Sequence, residues 1–193
     1  MIIIDGSEGE GGGQVLRYAC ALSLLTGEPF TIERIRAGRD QPGLMRQHVT
    51  AIEAACTVGG AECEGLELGS NRIAFRPGSV QPGEYRFAVG TAGSTALVLQ
   101  TLLVPLALAG APSRLVIEGG THAAMAPPFE FMARCFLPVF ERMGPRVTAA
   151  IKRHGFFPRG GGRIEIEIEP APLRRIECHE RGQPLAQSGT VLF

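Results

Sequence analysis

"IIIDGSEGEGGGQVLRYACALSLLTGEPFTIERIR", residues 2–36, decides how the rest of the chain is read. Ile2–Ile4 is a short β-branched run and predicts a strand. The glycine-rich stretch Asp5–Gly13 breaks it. Residues 13–26 then predict a helix that is apolar almost all round, hence buried, with Gly27 as its stop. Residues 29–36 read as a second strand. Pro42 suits a first helical position and opens a second helix over 42–60, closed by Gly59 and Gly60. Residues 61–78 read as two strands with a turn near Gly69. The order over the first 80 residues is β-α-β-α-β-β.

That order recurs further along. Residues 83–89 predict a strand and 90–110 a loop with a buried helix. A strand at 113–120, a loop at 121–128 and a helix at 129–144 follow. Residues 146–155 and 161–170 form a final strand pair. Loop, buried helix, strand, loop, amphipathic helix and hairpin thus repeat in register. Pro105 and Pro138 fall inside the expected helices and predict kinks or late starts there. From Ala171 the composition turns polar, with one weak strand expected near Leu173–Cys178. The closing "SGTVLF" reads as a strand just beginning, which suggests a chain cut short within a further domain. The fold class expected is α/β (α+β), with tandem βαβαββ repeats and helices packed on four-stranded mixed sheets.

The whole chain sets bounds on function. At 193 residues, 45% apolar and 20% charged, it is a globular composition with enough apolar side chain for a core. Its longest apolar region, 96–111, is interrupted by Gln100, Thr101 and Pro105, so no membrane span is expected. The N-terminus lacks the basic region and cleavage site of a signal peptide. Five widely spaced cysteines read as reduced thiols of a cytoplasmic protein, without the spacing of a zinc site. A net charge of zero excludes a global field that attracts nucleic acid. Lys152 is the only lysine, and its setting, "IKRHG", is not the K-x-D-G of nucleic acid ligases.

Four stretches carry chemistry. "DGSEGEGGGQVLR", residues 5–17, is neither a Walker loop nor a dinucleotide fingerprint, yet a glycine run before a helix leaves backbone N–H groups free for an anion. Glu8 and Glu10 among those glycines are unexpected beside phosphate. Glu10 either caps the helix or holds a divalent cation that in turn holds phosphate. Arg17, the charge in an apolar helix, needs an anion: Glu10 or Asp5 in a structural pair, or a phosphate. "RIRAGRDQPGLMRQH", residues 34–48, brings Arg34, Arg36, Arg39 and Arg46, with strand periodicity placing Arg34 and Arg36 on one face. They form either a solvated basic turn or a phosphate clamp. His122 in "GGTHAAMAPPFEF" is a nucleophile or a locally bonded loop residue, and His48 reads as a packing residue. "RHGFFPRGGGR", residues 153–163, reads as a tight hairpin with a basic rim. No Ser/His/Asp or Cys/His set is present that supports acyl chemistry.

These four stretches, in this order and at these intervals, resemble the motifs of the RNA 3'-terminal phosphate cyclases from residue 2 to about 170. The resemblance implies a large domain of βαβαββ repeats, with residues 1–80 as the first and 81–170 as the second. Residues 171–193 would begin an inserted smaller domain. It implies a ligase-type enzyme that uses ATP and a divalent metal, Mg or Mn, to convert an RNA 3'-phosphate to a 2',3'-cyclic phosphate through an adenylylated histidine. Position by position, Glu10 matches the metal-binding glutamate. Arg17, Arg36, Arg39 and Gln47 match polar residues needed for activity, Gln100 a nucleotide-contacting glutamine, and Pro127 the proline packed on adenine. The family's nucleophilic histidine lies in a third repeat and is matched by none of His48, His122, His154 or His179. The chain alone is therefore expected not to become adenylylated, and to expose an apolar edge that another copy covers. A non-catalytic relative acting in ribosome assembly is the alternative.

Overall fold

The structure, a computed structural model, describes residues 2–9, 11–184, 186–189 and 191. Two four-stranded mixed sheets share one strand order. In the first, β1 (Ile2–Asp5), β2 (Phe30–Glu33), β3 (Glu62–Glu64) and β4 (Ile73–Arg76) lie in the order β1-β2-β4-β3. In the second, β5 (Glu84–Ala88), β6 (Ser113–Gly119), β7 (Arg146–Arg153) and β8 (Gly162–Glu169) lie in the order β5-β6-β8-β7. Each sheet has one parallel pair, β1 with β2 and β5 with β6, and two antiparallel pairs. Each parallel pair is bridged by a helix, α1 (Gly13–Thr26) or α3 (Thr95–Ala107), as a parallel connection requires. The α/β class and the mixed four-stranded sheets expected from the sequence are present.

Alternation explains the second sheet. Along β8, Ile164, Ile166 and Ile168 are buried while Glu167 and Glu169 face out. The helix α2 (Arg46–Gly59) buries Val49, Ile52, Ala55 and Val58, and ends at Gly60 in the left-handed region at φ 53°. The helix α3 packs against α1 and α2 as well as against β6 and β8. Leu99, Leu102, Leu103 and Leu106 are consequently lost from solvent, and one apolar core runs through both halves.

Several local expectations change. The second strand stops at Glu33 because Arg34 and Arg36 take positive φ, 52° and 55°. They therefore sit in a turn and not on one strand face. The second helix starts at Arg46 and not at Pro42. The segment before it is stitched to Ile35 and to the Gly69–Ser70 turn instead: Gly43 N–H donates to Ile35 O at 2.9 Å, Leu44 N–H to Ser70 O at 2.9 Å, and Gly69 N–H to Leu44 O at 2.8 Å. The helix α1 is not buried all round, since Tyr18, Leu22 and Leu25 stay exposed.

Pro105 lies in the last turn of α3, where it removes one N–H donor and the helix ends two residues later, at Ala107. Around Pro138 the helical stretch runs as α4 (Phe129–Phe131), a π turn (Met132–Phe136) and α5 (Leu137–Glu141). A wide turn just before a proline moves the preceding carbonyls away from its ring. No strand forms at Leu173–Cys178; Arg174 N–H instead donates to Met143 O at 2.7 Å. The strand expected in "SGTVLF" falls largely on Thr190, Leu192 and Phe193, outside the described residues. Among the described residues, no helix is long and apolar enough to cross a membrane.

Candidate phosphate and nucleotide site

The N-terminal ends of three helices meet at one place. The N-cap of α1 is Gly12, which has no side chain to bond the first-turn N–H groups. A Cβ at Gly13 would stand 2.2 Å from His48 Nε2, so the first turn of α1 lies directly against that of α2. Next in sequence, Gln47 Oε1 accepts from the Ser94 N–H at 3.3 Å, and Ser94 is the N-cap of α3. Three positive dipole ends thus converge, two of them beside glycines that allow close approach.

Guanidinium groups surround this point. Arg17 is buried in the second turn of α1, and burial pushes its pKa down. Its Nε donates to Gln100 Oε1 at 3.3 Å, and Gln100 Nε2 donates in turn to the Tyr18 hydroxyl at 2.9 Å. Asp5, one partner considered for Arg17, is instead engaged by Ser7 and by Arg34. Arg39 reaches Gly12 from the turn: a Cβ there would lie 3.4 Å from Arg39 Nη2. Arg36 closes the same turn by donating to Gln41 O at 2.6 Å and Gly43 O at 2.8 Å. Its pKa is pushed down, first by burial and then by the neighbouring Arg39.

His48 was expected only to pack. It is buried, but it also has two polar tasks. Met45 N–H donates to its Nδ1 at 3.1 Å, which ties down the start of α2. A nitrogen that accepts carries no proton, so the N–H is on Nε2, the atom facing Gly13. Burial, then Arg36 and Arg17, push its pKa down to about 4, so the ring is neutral near pH 7 and stays a donor toward the α1 terminus. Nothing in the sequence signals this, because it places the helix start at Pro42, six residues before His48, whereas His48 is the third residue of α2.

Gln100 and Pro127 line one cleft of about 150 Å³ together with Tyr18, Leu97, Val104 and Phe131. It is apolar apart from the Gln100 amide and the Tyr18 hydroxyl, and the Arg17–Gln100 bond joins it to the helix termini. Arg17, Arg36, Arg39, Gln47, Gln100 and Pro127 are therefore linked through a short set of contacts. Arg34 and Arg46 are not part of this link: Arg34 pairs with Asp5, and Arg46 lines an adjoining groove that shares Gln47 with it. Glu10, expected to hold a metal, lies outside the described residues. Among the described residues, no three His, Cys, Asp or Glu side chains cluster as metal ligands.

His122 is engaged locally. Its Nδ1 lies 2.8 Å from Thr121 Oγ1 and its Nε2 2.7 Å from Glu130 Oε2. Both ring nitrogens thus have a partner within the loop and α4, as a locally bonded loop residue would. Arrangements of guanidinium groups and helix termini bind anions and offset charge that develops on phosphoryl oxygens.

The profile of the family described as "RTC: RNA 3'-terminal phosphate cyclase" matches residues 8–190. The chain is 55% identical over 194 residues to a protein named RNA 3'-terminal phosphate cyclase from Koribacter versatilis, an alignment that covers 100% of this chain and 55% of that one. It is 54% identical over 190 residues to one of the same name from Ralstonia nicotianae, covering 97% of this chain and 55% of that one. The chain thus spans about half the length of the curated relatives it matches. The chain belongs to the RNA 3'-terminal phosphate cyclase family.

Proposed function

We propose that this chain forms the phosphate- and nucleotide-binding wall of an enzyme that uses ATP to convert an RNA 3'-phosphate end to a 2',3'-cyclic phosphate. In that reaction AMP is transferred to the 3'-phosphate, and the neighbouring 2'-hydroxyl attacks the same phosphorus and displaces AMP. Such chemistry needs charge neutralisation and alignment more than acid–base groups. Both relatives are named for this activity. The single observation that carries the proposal is the convergence of three helix N-termini with Arg17, Arg36 and Arg39 around a neutral His48.

The residues divide the work. Gln100 and Pro127 hold the adenine in the apolar cleft. Arg17, held by Gln100, meets the phosphate nearest the base. Arg36 and the Nε2–H of His48 bind the remaining phosphoryl oxygens of ATP, and Arg39 and Gln47 bind the 3'-phosphate of the RNA. A divalent cation, Mg or Mn, belongs with Glu10 and would neutralise further phosphate charge. Residues 1–80 and 81–170 serve as two repeats of a larger domain, and 171–193 as the start of an inserted one. The protein works in the cytoplasm, as its five free cysteines suit. A second copy covers the exposed side of α1 at Leu22 and Leu25, beside the cleft and not over it.

Titration of the chain with a fluorescent ATP analogue tests the nucleotide part. Arg17→Ala is expected to weaken binding about tenfold or more, because a charged hydrogen bond in a buried site is lost. Arg86→Ala, on the outer face of the second sheet, is expected to leave it unchanged. Equal affinity of wild type and Arg17→Ala would contradict the assignment.

A further inference from the structure

The loop between β7 and β8 carries an aromatic ring that the site above does not use. Phe157 is 84% exposed, although an apolar ring of this size is ordinarily withdrawn from water. Its backbone is not loose. Gly155 N–H donates to Thr121 Oγ1 at 2.9 Å, Thr121 N–H donates to Gly155 O at 2.9 Å, and Gly160 N–H donates to Phe156 O at 2.7 Å. Phe156 stacks on His122 at 5.1 Å and on His154 at 6.1 Å, and His122 is anchored in turn to Glu130. Gly160 presses on the Thr91–Ala92 backbone, where a Cβ would meet Thr91 O at 2.4 Å. Phe157 is therefore a ring held out from a braced loop.

That ring lines an open groove of about 410 Å³, together with Pro158, Gly93, Ala123, Arg46 and Gln47. Gly93 lies against Gln47, where a Cβ would stand 2.9 Å from Gln47 Cβ. None of the residues lining the groove is acidic. Exposed Arg159 and His154 flank the ring in sequence. An exposed aromatic and an arginine lining one groove suit a ligand with flat faces on an anionic backbone. Single-stranded nucleic acid has that chemistry, and every base offers a π-face. Gln47 joins the groove to the converging helix termini through its bond with Ser94.

We propose that this groove receives the last nucleotides of a single-stranded RNA, with the base next to the 3' end stacked on Phe157 and its backbone phosphate at Arg46. This rests on the function proposed above, which puts the terminal phosphate at Arg39 and Gln47. Stacking of this kind is tolerant of sequence, so the site recognises an unpaired end more than a particular base.

The test uses the full chain and a short single-stranded oligoribonucleotide with a fluorescent purine next to its 3' end, in 3'-phosphate and 3'-hydroxyl forms. Wild type is expected to quench the purine on binding. Phe157→Ala is expected to bind about tenfold more weakly and to lose the quenching, while Phe157→Trp retains both. Replacing the purine by an abasic nucleotide is expected to weaken wild type and leave Phe157→Ala unchanged. ATP binding by Phe157→Ala is expected to match wild type, which shows that the variant is folded. If Phe157→Ala binds either RNA as tightly as wild type with the same quenching, stacking on Phe157 is overturned, whichever end the protein prefers. Failure of wild type to distinguish the two ends overturns the function proposed above and not the stacking, which the comparison of the two proteins decides alone.

Discussion

His48 shows how much a single residue can carry. Its imidazole closes the start of α2, faces the start of α1 and stays neutral because burial and two arginines oppose its charge. Its pKa in the folded chain, about 4, lies below the ordinary value of 6.5. Between those two values the unfolded chain binds the extra proton. Stability is therefore full above about pH 6.5 and falls as the pH drops toward 4. The total effect is on the order of 3 kcal/mol by linkage. Urea unfolding between pH 7 and 4 is expected to show this loss in wild type and a shallower one in His48→Gln, whose amide oxygen can still accept from Met45. Identical slopes for the two proteins would remove the linkage claim. Gly13 explains why the position tolerates no side chain: a Cβ there would collide with the same ring nitrogen.

At the scale of elements, α1 is where sequence and structure part most clearly. Its near-continuous apolar run reads as a buried helix, and the core side of Leu16, Cys20 and Leu24 is buried as expected. Tyr18, Leu22 and Leu25 turn outward, and Phe131 and Phe136 add to the exposed apolar surface. Periodicity reports that a residue is apolar; it does not report what covers it. Sedimentation velocity is expected to show concentration-dependent self-association, reduced by Leu22→Glu. A wild-type chain that stays monomeric at every concentration would contradict coverage by a second copy.

The strands and helices themselves were legible, because alternation in β8 and the glycine stops of α1 and α2 are local signals. The start of α2 was not. Pro42 is a sound local cue for a first helical turn, but the segment pairs with a turn nearly thirty residues later, at Gly69–Ser70. Arg34 and Arg36 do not share a strand face for a similar reason: both have positive φ, and Ile35 between them donates its N–H to Asn71 O at 2.9 Å, a partner distant in sequence.

At the scale of the molecule, two sheets of identical strand order share one core, and the candidate site sits where their helices begin. Arg17, Arg36, Arg39, Gln47, Gln100 and Pro127 could be named from motif resemblance, but not their linkage. That depends on Gly13 meeting His48 and Gln47 meeting Ser94, contacts between segments about thirty-five and forty-seven residues apart. The neutral state of His48 was equally hidden, because it follows from burial and from arginines brought close by folding. The central claim is that this junction holds phosphate at the end of an RNA. Its most direct test is a binding titration of the chain with one oligoribonucleotide carrying either a 3'-phosphate or a 3'-hydroxyl. Tighter binding of the 3'-phosphate, by about tenfold or more, is expected, with the preference lost in Arg39→Ala. Equal affinity of the wild-type chain for the two ends would contradict it.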